Sequence, residues 1–260
     1  MLQLCSLASG SKGNATLVSS ASTTVLIDCG LNPTELRRRL HVIGAGLISI
    51  SAIIITHEHG DHIRGLEQVA RLTNAPVFLH HKTFSALNDN CKLGRNTNLF
   101  DGSSELSVGN LKIKPIELPH DSAVSVGFRL DDGADSLIYA TDLGYVPASL
   151  VTASNGARLA FLESNHDLNM LMKGPYPAYL KRRIASNNGH LSNDISARAG
   201  LEMLRLGVKK FVLAHLSQEN NLAYVARETY RDYFMKNGAK LDEDYSLVVA
   251  SQDAPTGWIC

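Results

Sequence analysis

Apolar residues in the first third of the chain occur in short runs separated by turns, a pattern typical of β-strands. The glycine-containing segment 8–14 predicts a turn between two such runs. The run at 52–56 is almost continuously apolar, which predicts a strand buried on both faces. Segments with helical spacing follow several runs, and Asn32 is a suitable N-cap for the first of them. We predict strands at 2–7, 15–19, 23–28, 52–56 and 77–80, and helices at 33–40, 63–72 and 82–87.

The remainder of the chain alternates strand-like runs with longer helical segments, and buried strands recur towards its end. We predict strands at 111–118, 124–130, 136–139, 159–163, 211–214 and 245–251, and helices at 177–185, 193–206 and 222–237. This order fits two sheets packed face to face with helices outside. Single α/β domains of this length are common, so we expect residues 1–260 to form one domain.

Composition narrows the class of protein only slightly. Apolar residues make up 44% of the chain, which is ordinary for a globular protein. No apolar run approaches the roughly 20 residues of a membrane-spanning helix, and the N-terminus lacks the pattern of a signal peptide. We therefore expect a cytoplasmic protein without a membrane partner. The net charge of zero is weak evidence against a protein that coats nucleic acid, and the four scattered cysteines argue against a disulfide framework.

Immediately after the buried strand at 52–56, the chain has four residues that can bind metal ions. His57 and His59 stand two positions apart at a strand end, so they project to the same side. Gly60 permits a sharp turn, after which Asp61 and His62 face a neighbouring position. Imidazole nitrogen and carboxylate oxygen are ligands of zinc and similar divalent ions. The spacing therefore predicts two adjacent ions, and the alternative is a polar loop with incidental histidines.

The motif resembles the signature of the metallo-β-lactamase superfamily, and the other positions of that family have counterparts in the same order. These counterparts are Asp28 at the end of an apolar strand, His120, Asp142 and His215. The resemblance implies an α/β fold, an αββα sandwich of two mixed sheets with helices on the outer faces. It also implies two divalent ions, Zn²⁺ or Mn²⁺, and an orienting role for Asp28. The implied ligands are His57, His59 and His120 for one ion and Asp61, His62 and His215 for the other, with Asp142 between them.

Two further residues favour phosphodiester chemistry. His190 resembles the histidine that aids leaving-group protonation or binds phosphate in tRNA 3′-processing endonucleases of the superfamily, and Glu163 resembles its supporting glutamate. A carboxylate fixes the tautomer of its imidazole partner and favours the protonated form, which could donate to a departing alkoxide. We therefore expect Asp61, Glu163 and His190 to be catalytic. The alternatives are an ordinary loop histidine and a salt-bridged glutamate.

Longer blocks resemble the YycJ/WalJ subfamily, which is associated with 5′→3′ exodeoxyribonuclease activity and a suggested role in DNA mismatch repair. The matching blocks are 7–14, 163–167, 174–177, 180–184 and 189–193. The resemblance implies a DNA exonuclease that uses a metal-activated hydroxide, with His190 as acid or phosphate binder. An RNA or cyclic-phosphate phosphodiesterase, a thioester or lactone hydrolase, and a non-catalytic metal-binding interaction protein are the alternatives.

The expected partner is a nucleic acid substrate, with DNA favoured, while the oligomeric state stays open. The basic triplet 181–183 precedes His190 and could meet a DNA backbone. Donors of the loop 9–14 could bind a phosphate. The alternative for the triplet is a solvated helix face, and the alternative for the loop is a plain hairpin turn. The candidate substrate contacts are Ser9, Ser11, Asn14, His166, Lys181, Arg182, Arg183 and Asn193.

Overall fold

The computed structural model describes residues 1–87 and 91–260 and contains two β-sheets. The strands of the first sheet lie side by side in chain order. The first three pair antiparallel, and the last three continue the sheet in parallel. The strands are β1 (Gln3–Ala8), β2 (Ala15–Ser19), β3 (Thr24–Ile27), β4 (Ala52–Ile54), β5 (Val77–His80) and β6 (Thr97–Phe100).

The second sheet is also mixed, with the order β13-β12-β11-β10-β9-β8-β7. Its half from β10 to β13 is parallel, whereas β7 to β10 pair antiparallel. Because β8 and β10 both run antiparallel to β9, they point in the same direction. The strands are β7 (Leu106–Val108), β8 (Leu111–Leu118), β9 (Ser125–Asp131), β10 (Ser136–Ala140), β11 (Leu159–Glu163), β12 (Lys210–Ala214) and β13 (Ser246–Val249).

The two sheets pack face to face, and helices cover their outer faces. Tyr139 and Phe161 stack at 4.7 Å in the buried layer between the sheets. One outer layer joins the first sheet to α1 and α3, and the other joins the second sheet to α5, α8 and α9. This is the αββα arrangement expected from the resemblance. The helices are α1 (Pro33–Val42), α2 (Gly60–Ile63), α3 (Leu66–Thr73), α4 (His81–Ala86), α5 (Ala148–Ala153), α6 (Leu168–Lys173), α7 (Ala178–Ile184), α8 (Asn193–Arg205) and α9 (Ala223–Lys236).

The predicted elements agree with the structure except where they are short or interrupted. The helix predicted at 63–72 is present as α3, but it begins only at Leu66, because the chain turns at Gly65 after α2. A Cβ at Gly65 would lie 1.9 Å from the carbonyl oxygen of Leu31, so this position requires glycine. The sequence interpretation missed the short elements α2, β6, α5 and α6. Within the described residues, no helix is long and apolar enough to cross a membrane.

The fold gathers the carboxyl ends of β3, β4, β8, β10, β11 and β12 at one edge of the sandwich. Three non-glycine residues just beyond these strand ends adopt left-handed backbone conformations, namely Asp28, Asp142 and His215, with φ angles of 62°, 61° and 53°. Such conformations cost an L-residue roughly 1–2 kcal/mol each. Their clustering at one edge marks that edge as a functional site.

Candidate metal centre

Two groups of side chains at this edge could each hold a metal ion. His57, His59 and His120 form the first group, and Asp61, His62 and His215 form the second. Within each group, one nitrogen or oxygen atom per residue lies within 4.8 Å of the others. The structure thus brings together residues that are up to 158 positions apart, between His57 and His215. The grouping is the one implied by the resemblance.

Asp142 lies between the two groups. Its Oδ2 is 3.3 Å from Nε2 of His62 in the second group, and its Oδ1 is 3.9 Å from Nε2 of His120 in the first. Two further possible ligand groups overlap these, one combining Asp142 with His57 and His62, and the other combining it with Glu163, His190 and His215. One carboxylate therefore faces residues of both clusters, as a bridging ligand must.

Unpaired atoms show that the cluster suits cations. Nε2 of His57, Oδ2 of Asp142 and Nε2 of His215 are buried without a hydrogen-bond partner among residues 1–87 and 91–260. A buried polar atom without a partner costs about 1–3 kcal/mol, so such atoms normally bind something. Their mixture of imidazole nitrogen and carboxylate oxygen matches Zn²⁺ and Mn²⁺ alike.

The electrostatics of the cluster also favour bound positive charge. Burial and the neighbouring imidazoles hold the pKa of His57 well below its usual value, so its ring is neutral and can offer a lone pair. Although burial lowers the pKa of His62, the carboxylates of Asp28 and Asp142 raise it to about 9. Burial likewise opposes the increase at His215, but Asp142 and other carboxylates raise its pKa well above the usual value. The carboxylates thus attract positive charge that metal ions could supply.

Asp28 orients two of the candidate ligands, one directly and one through Thr56. Its Oδ2 is 2.8 Å from Nδ1 of His62, and its Oδ1 accepts the backbone N–H of Thr56 at 2.9 Å. The Thr56 hydroxyl donates to Asp28 and lies 3.0 Å from Nδ1 of His57. It can therefore accept the Nδ1–H of His57, which leaves the Nε2 lone pair free. Sequence reasoning missed Thr56, because nothing distinguished this β-branched residue from the strand before it.

Glu163 is fully buried and holds His190 and His215 with a single oxygen. Its Oε1 is 2.9 Å from Nδ1 of His190 and 2.9 Å from Nδ1 of His215. Its Oε2 accepts the backbone N–H groups of Leu143 and Leu191 at 3.3 and 3.0 Å. Although burial raises the pKa of Glu163, the two imidazoles hold it well below the usual value. The expected Glu163–His190 pair is present, and its connection to His215 was not foreseen.

Three predicted substrate contacts are part of the supporting framework. The Ser9 hydroxyl accepts the backbone N–H of His215 at 2.8 Å. The Asn14 amide bonds to the backbone of Gly10 and donates to Asp61. Asn193 bonds to Ser164 and Asn221 within a buried network. Each of the three residues is at most 2% exposed, so these hydrogen bonds assign them a supporting role, and direct contact with substrate stays a prediction.

The other predicted substrate contacts differ in their exposure to solvent. His166 is only 1% exposed, and its contact with substrate likewise stays a prediction. Ser11, Arg182 and Arg183 are exposed, and contact with substrate stays a prediction for them. Lys181 donates to the carbonyl oxygen of Met172 at 2.7 Å, which turns its ammonium group towards α6.

Comparison with known proteins places the chain in a family. The sequence profile of the beta-lactamase superfamily domain matches residues 23–216, more than half of the chain. The chain belongs to this superfamily. The matched segment includes all seven candidate ligands and Asp28. The structure of the metallo-beta-lactamase fold protein YhfI from Bacillus subtilis covers 98% of this chain and 99% of its own, with a TM-score of 0.73 at 17% identity. That likeness confirms the fold.

Curated relatives extend over nearly the entire sequence. The chain is 31% identical to exodeoxyribonuclease WalJ of Streptococcus pneumoniae over 254 residues, covering 96% of this chain and 94% of the relative. It is also 31% identical to exodeoxyribonuclease YycJ of Bacillus anthracis over 253 residues, covering 96% of each. The identification of the YycJ/WalJ subfamily from the sequence is therefore confirmed.

Proposed function

We propose that the chain is a two-metal phosphodiesterase that removes nucleotides from the end of DNA, with a 5′→3′ direction carried by the subfamily resemblance. The observation that carries the proposal is the Glu163–His190 pair beside the candidate metal ligands. Nδ1 of His190 lies 2.9 Å from Oε1 of Glu163. Both relatives are named exodeoxyribonucleases, which supports the choice of substrate.

The proposed ligands are those implied by the sequence, with His57, His59 and His120 on one side, Asp61, His62 and His215 on the other, and Asp142 between. Two divalent ions, Zn²⁺ or Mn²⁺, would polarise the phosphate and lower the pKa of a shared water. Asp28 and Thr56 keep two imidazoles oriented for this purpose.

His190 has a role that the metal ligands do not fill. Because Glu163 accepts a hydrogen bond from Nδ1, the tautomer of the ring is fixed and Nε2 remains for the substrate. The side chain of His190 is 18% exposed, whereas that of His215 on the same carboxylate is 5% exposed. We therefore assign His190 to the departing oxygen, to which a protonated Nε2 would donate, or to the phosphate itself.

End-labelled DNA tests the proposal. The purified protein, loaded with Mn²⁺ or Zn²⁺, is incubated with single- and double-stranded DNA labelled at either end, RNA of the same sequence, bis-p-nitrophenyl phosphate and a p-nitrophenyl ester. We expect stepwise shortening of DNA from the 5′ end. Faster cleavage of RNA would replace the substrate assignment, and hydrolysis of the ester alone would overturn the phosphodiesterase assignment.

Two variants and one control assign the residues. His59→Ala should abolish cleavage by removing a metal ligand. His190→Ala should lower kcat by about 10²–10⁴, the usual range for a general acid, while retaining bound metal. His41→Ala, at an exposed histidine of α1, is the matched control and should behave like the parent. Equal activity in the His190 variant would remove this residue from the mechanism.

A further inference from the structure

An ion pair lies at the rim of the candidate metal centre. Nε of Arg183 donates to Oδ2 of Asp121 at 2.5 Å, and Oδ1 of Asp121 lies 3.4 Å from Nε2 of His120. The same Nε2 faces Asp142 at 3.9 Å, because Nδ1 of His120 is 3.1 Å from the carbonyl oxygen of Gly189. Asp121 therefore connects the guanidinium of Arg183 to the nitrogen that points into the cluster.

The rim that carries the pair consists of loops fixed to one another. The backbone N–H of Asp121 donates to Asn188 at 3.1 Å, and that of Gly144 donates to Pro119 at 2.9 Å. A Cβ at Gly144 would lie 2.2 Å from the carbonyl carbon of Asn187, so the backbones are in direct contact. These contacts join the loops that follow β8, β10 and α7. The position of the ion pair relative to the metal ligands is thus set by backbone packing.

Arg183 keeps most of its donors available. Among residues 1–87 and 91–260, Asp121 alone accepts a side-chain hydrogen bond from Arg183, and it engages only Nε. The four N–H groups on Nη1 and Nη2 remain, on a side chain that is 55% exposed. Lys181 in the same triplet is instead turned towards Met172. An exposed ion pair contributes about 0–1 kcal/mol to stability, so folding alone gives little reason for this arrangement.

A guanidinium held in this way matches the geometry of a phosphate. Arginine presents paired N–H donors that bind two phosphate oxygens at once, and a fixed side chain loses less entropy on binding. We propose that Arg183, positioned by Asp121, binds a backbone phosphate next to the scissile one and so anchors the nucleic acid strand. This inference rests on the proposed phosphodiesterase function and adds the residue that recognises a polymer. Asp121 acts through Arg183 and is a positioning residue.

The first experiment compares a polymer with a small diester. In the metal-loaded protein, Arg183→Ala should lower kcat/KM for a single-stranded DNA oligonucleotide about tenfold through KM, the effect of losing one charged hydrogen-bonded contact. Its hydrolysis of bis-p-nitrophenyl phosphate, which has no neighbouring phosphate, should fall by a much smaller factor than its cleavage of the oligonucleotide. Arg231→Ala is the matched control, because Arg231 is a comparably exposed arginine that pairs with Glu228 and Asp232 on its own helix, α9.

The salt dependence of kcat/KM for the oligonucleotide distinguishes phosphate binding by Arg183 from a purely structural role, which would leave this dependence unchanged. The slope of log kcat/KM against log salt should become less steep by about 0.7 in Arg183→Ala, the value for one single-strand phosphate contact. An unchanged slope, or an oligonucleotide KM equal to that of Arg231→Ala, would overturn the inference. If the parent protein cleaves neither the oligonucleotide nor the diester, the proposed function fails instead.

A double-mutant cycle tests the positioning role of Asp121. Asp121→Asn should raise the oligonucleotide KM, and the combined Asp121→Asn/Arg183→Ala variant should be no worse than Arg183→Ala alone. Additive effects of the two substitutions would remove Asp121 from the proposal. The metal content of each variant is measured in parallel, because Asp121 also neighbours His120. Loss of metal in Asp121→Asn would likewise overturn a role that acts only through Arg183.

Discussion

Glu163→Gln tests whether one buried carboxylate organises the catalytic edge. Oε1 accepts from His190 and His215, and Oε2 accepts from the backbone N–H groups of Leu143 and Leu191. Glutamine has the same shape, but its amide nitrogen replaces one oxygen and faces at least two donors. Each donor left unsatisfied in a buried site costs about 1–3 kcal/mol, so the expected destabilisation is about 2–6 kcal/mol.

Urea unfolding with excess chelator measures this cost without a contribution from metal affinity. Glu202→Gln, at an exposed position of α8, is the control and should stay within about 0.5 kcal/mol of the parent. In the metal-loaded protein, Glu163→Gln should also lose activity, because the ring of His190 is no longer held in one tautomer. A destabilisation below about 1 kcal/mol would refute the view that Glu163 is a required acceptor at the centre of this network.

Three further predictions concern the metal ligands and the rim. Asp28→Asn leaves one acceptor oxygen for the donors of both His62 and Thr56 and should weaken metal affinity about 10–100-fold, measured by competition with a chromogenic chelator. Removal of metal by a chelator should lower Tm and abolish cleavage, and both should return when metal is restored, since metal at 100 times its Kd stabilises by about 2.7 kcal/mol. Gly144→Ala forces a Cβ against Asn187 and should cost about 1–3 kcal/mol in urea, whereas Gly46→Ala, which has open space, should not.

The candidate ligands could be predicted because the chemistry and the strand ends are both visible in the sequence. His57 to His62 combine four metal-competent side chains directly after an apolar run, and no other segment shows this density. Asp142 and His215 carry no such local signal, so their prediction depended on the family resemblance. Their convergence arises from sheet topology, which places the carboxyl ends of β4, β10 and β12 at one edge.

The supporting residues could not be predicted in the same way. Ser9, Asn14 and Asn193 have the polar groups of substrate contacts, but a sequence does not show whether a polar atom faces the cleft or a backbone group. In the structure, the Ser9 hydroxyl meets the backbone of His215. The same limit applies to the Asp121–Arg183 pair, whose partners are 62 positions apart.

Short elements were missed because their patterns are weak. The burial pattern of β6, in which two of four residues are exposed, gives no alternation to detect. The helix α5 spans six residues, too few to show the spacing of an amphipathic helix, and has no side-chain cap. Tertiary contacts, which local sequence does not encode, place both elements.

Because the backbone at Asp142 is left-handed, we expect glycine to be more stable than alanine at this position, the reverse of their order within a helix. At its φ of 61°, alanine is strained by roughly 1–2 kcal/mol whereas glycine is not, so metal-free Asp142→Gly should be about 1 kcal/mol more stable than Asp142→Ala. Asp194, in the first turn of α8, provides the reverse case, because glycine there should be about 0.5–1 kcal/mol less stable than alanine. Urea unfolding of the four variants in excess chelator measures both differences. If alanine is the more stable residue at both positions, the site stores no backbone strain at Asp142, and its left-handed residues do not explain why this edge is poised to bind metal.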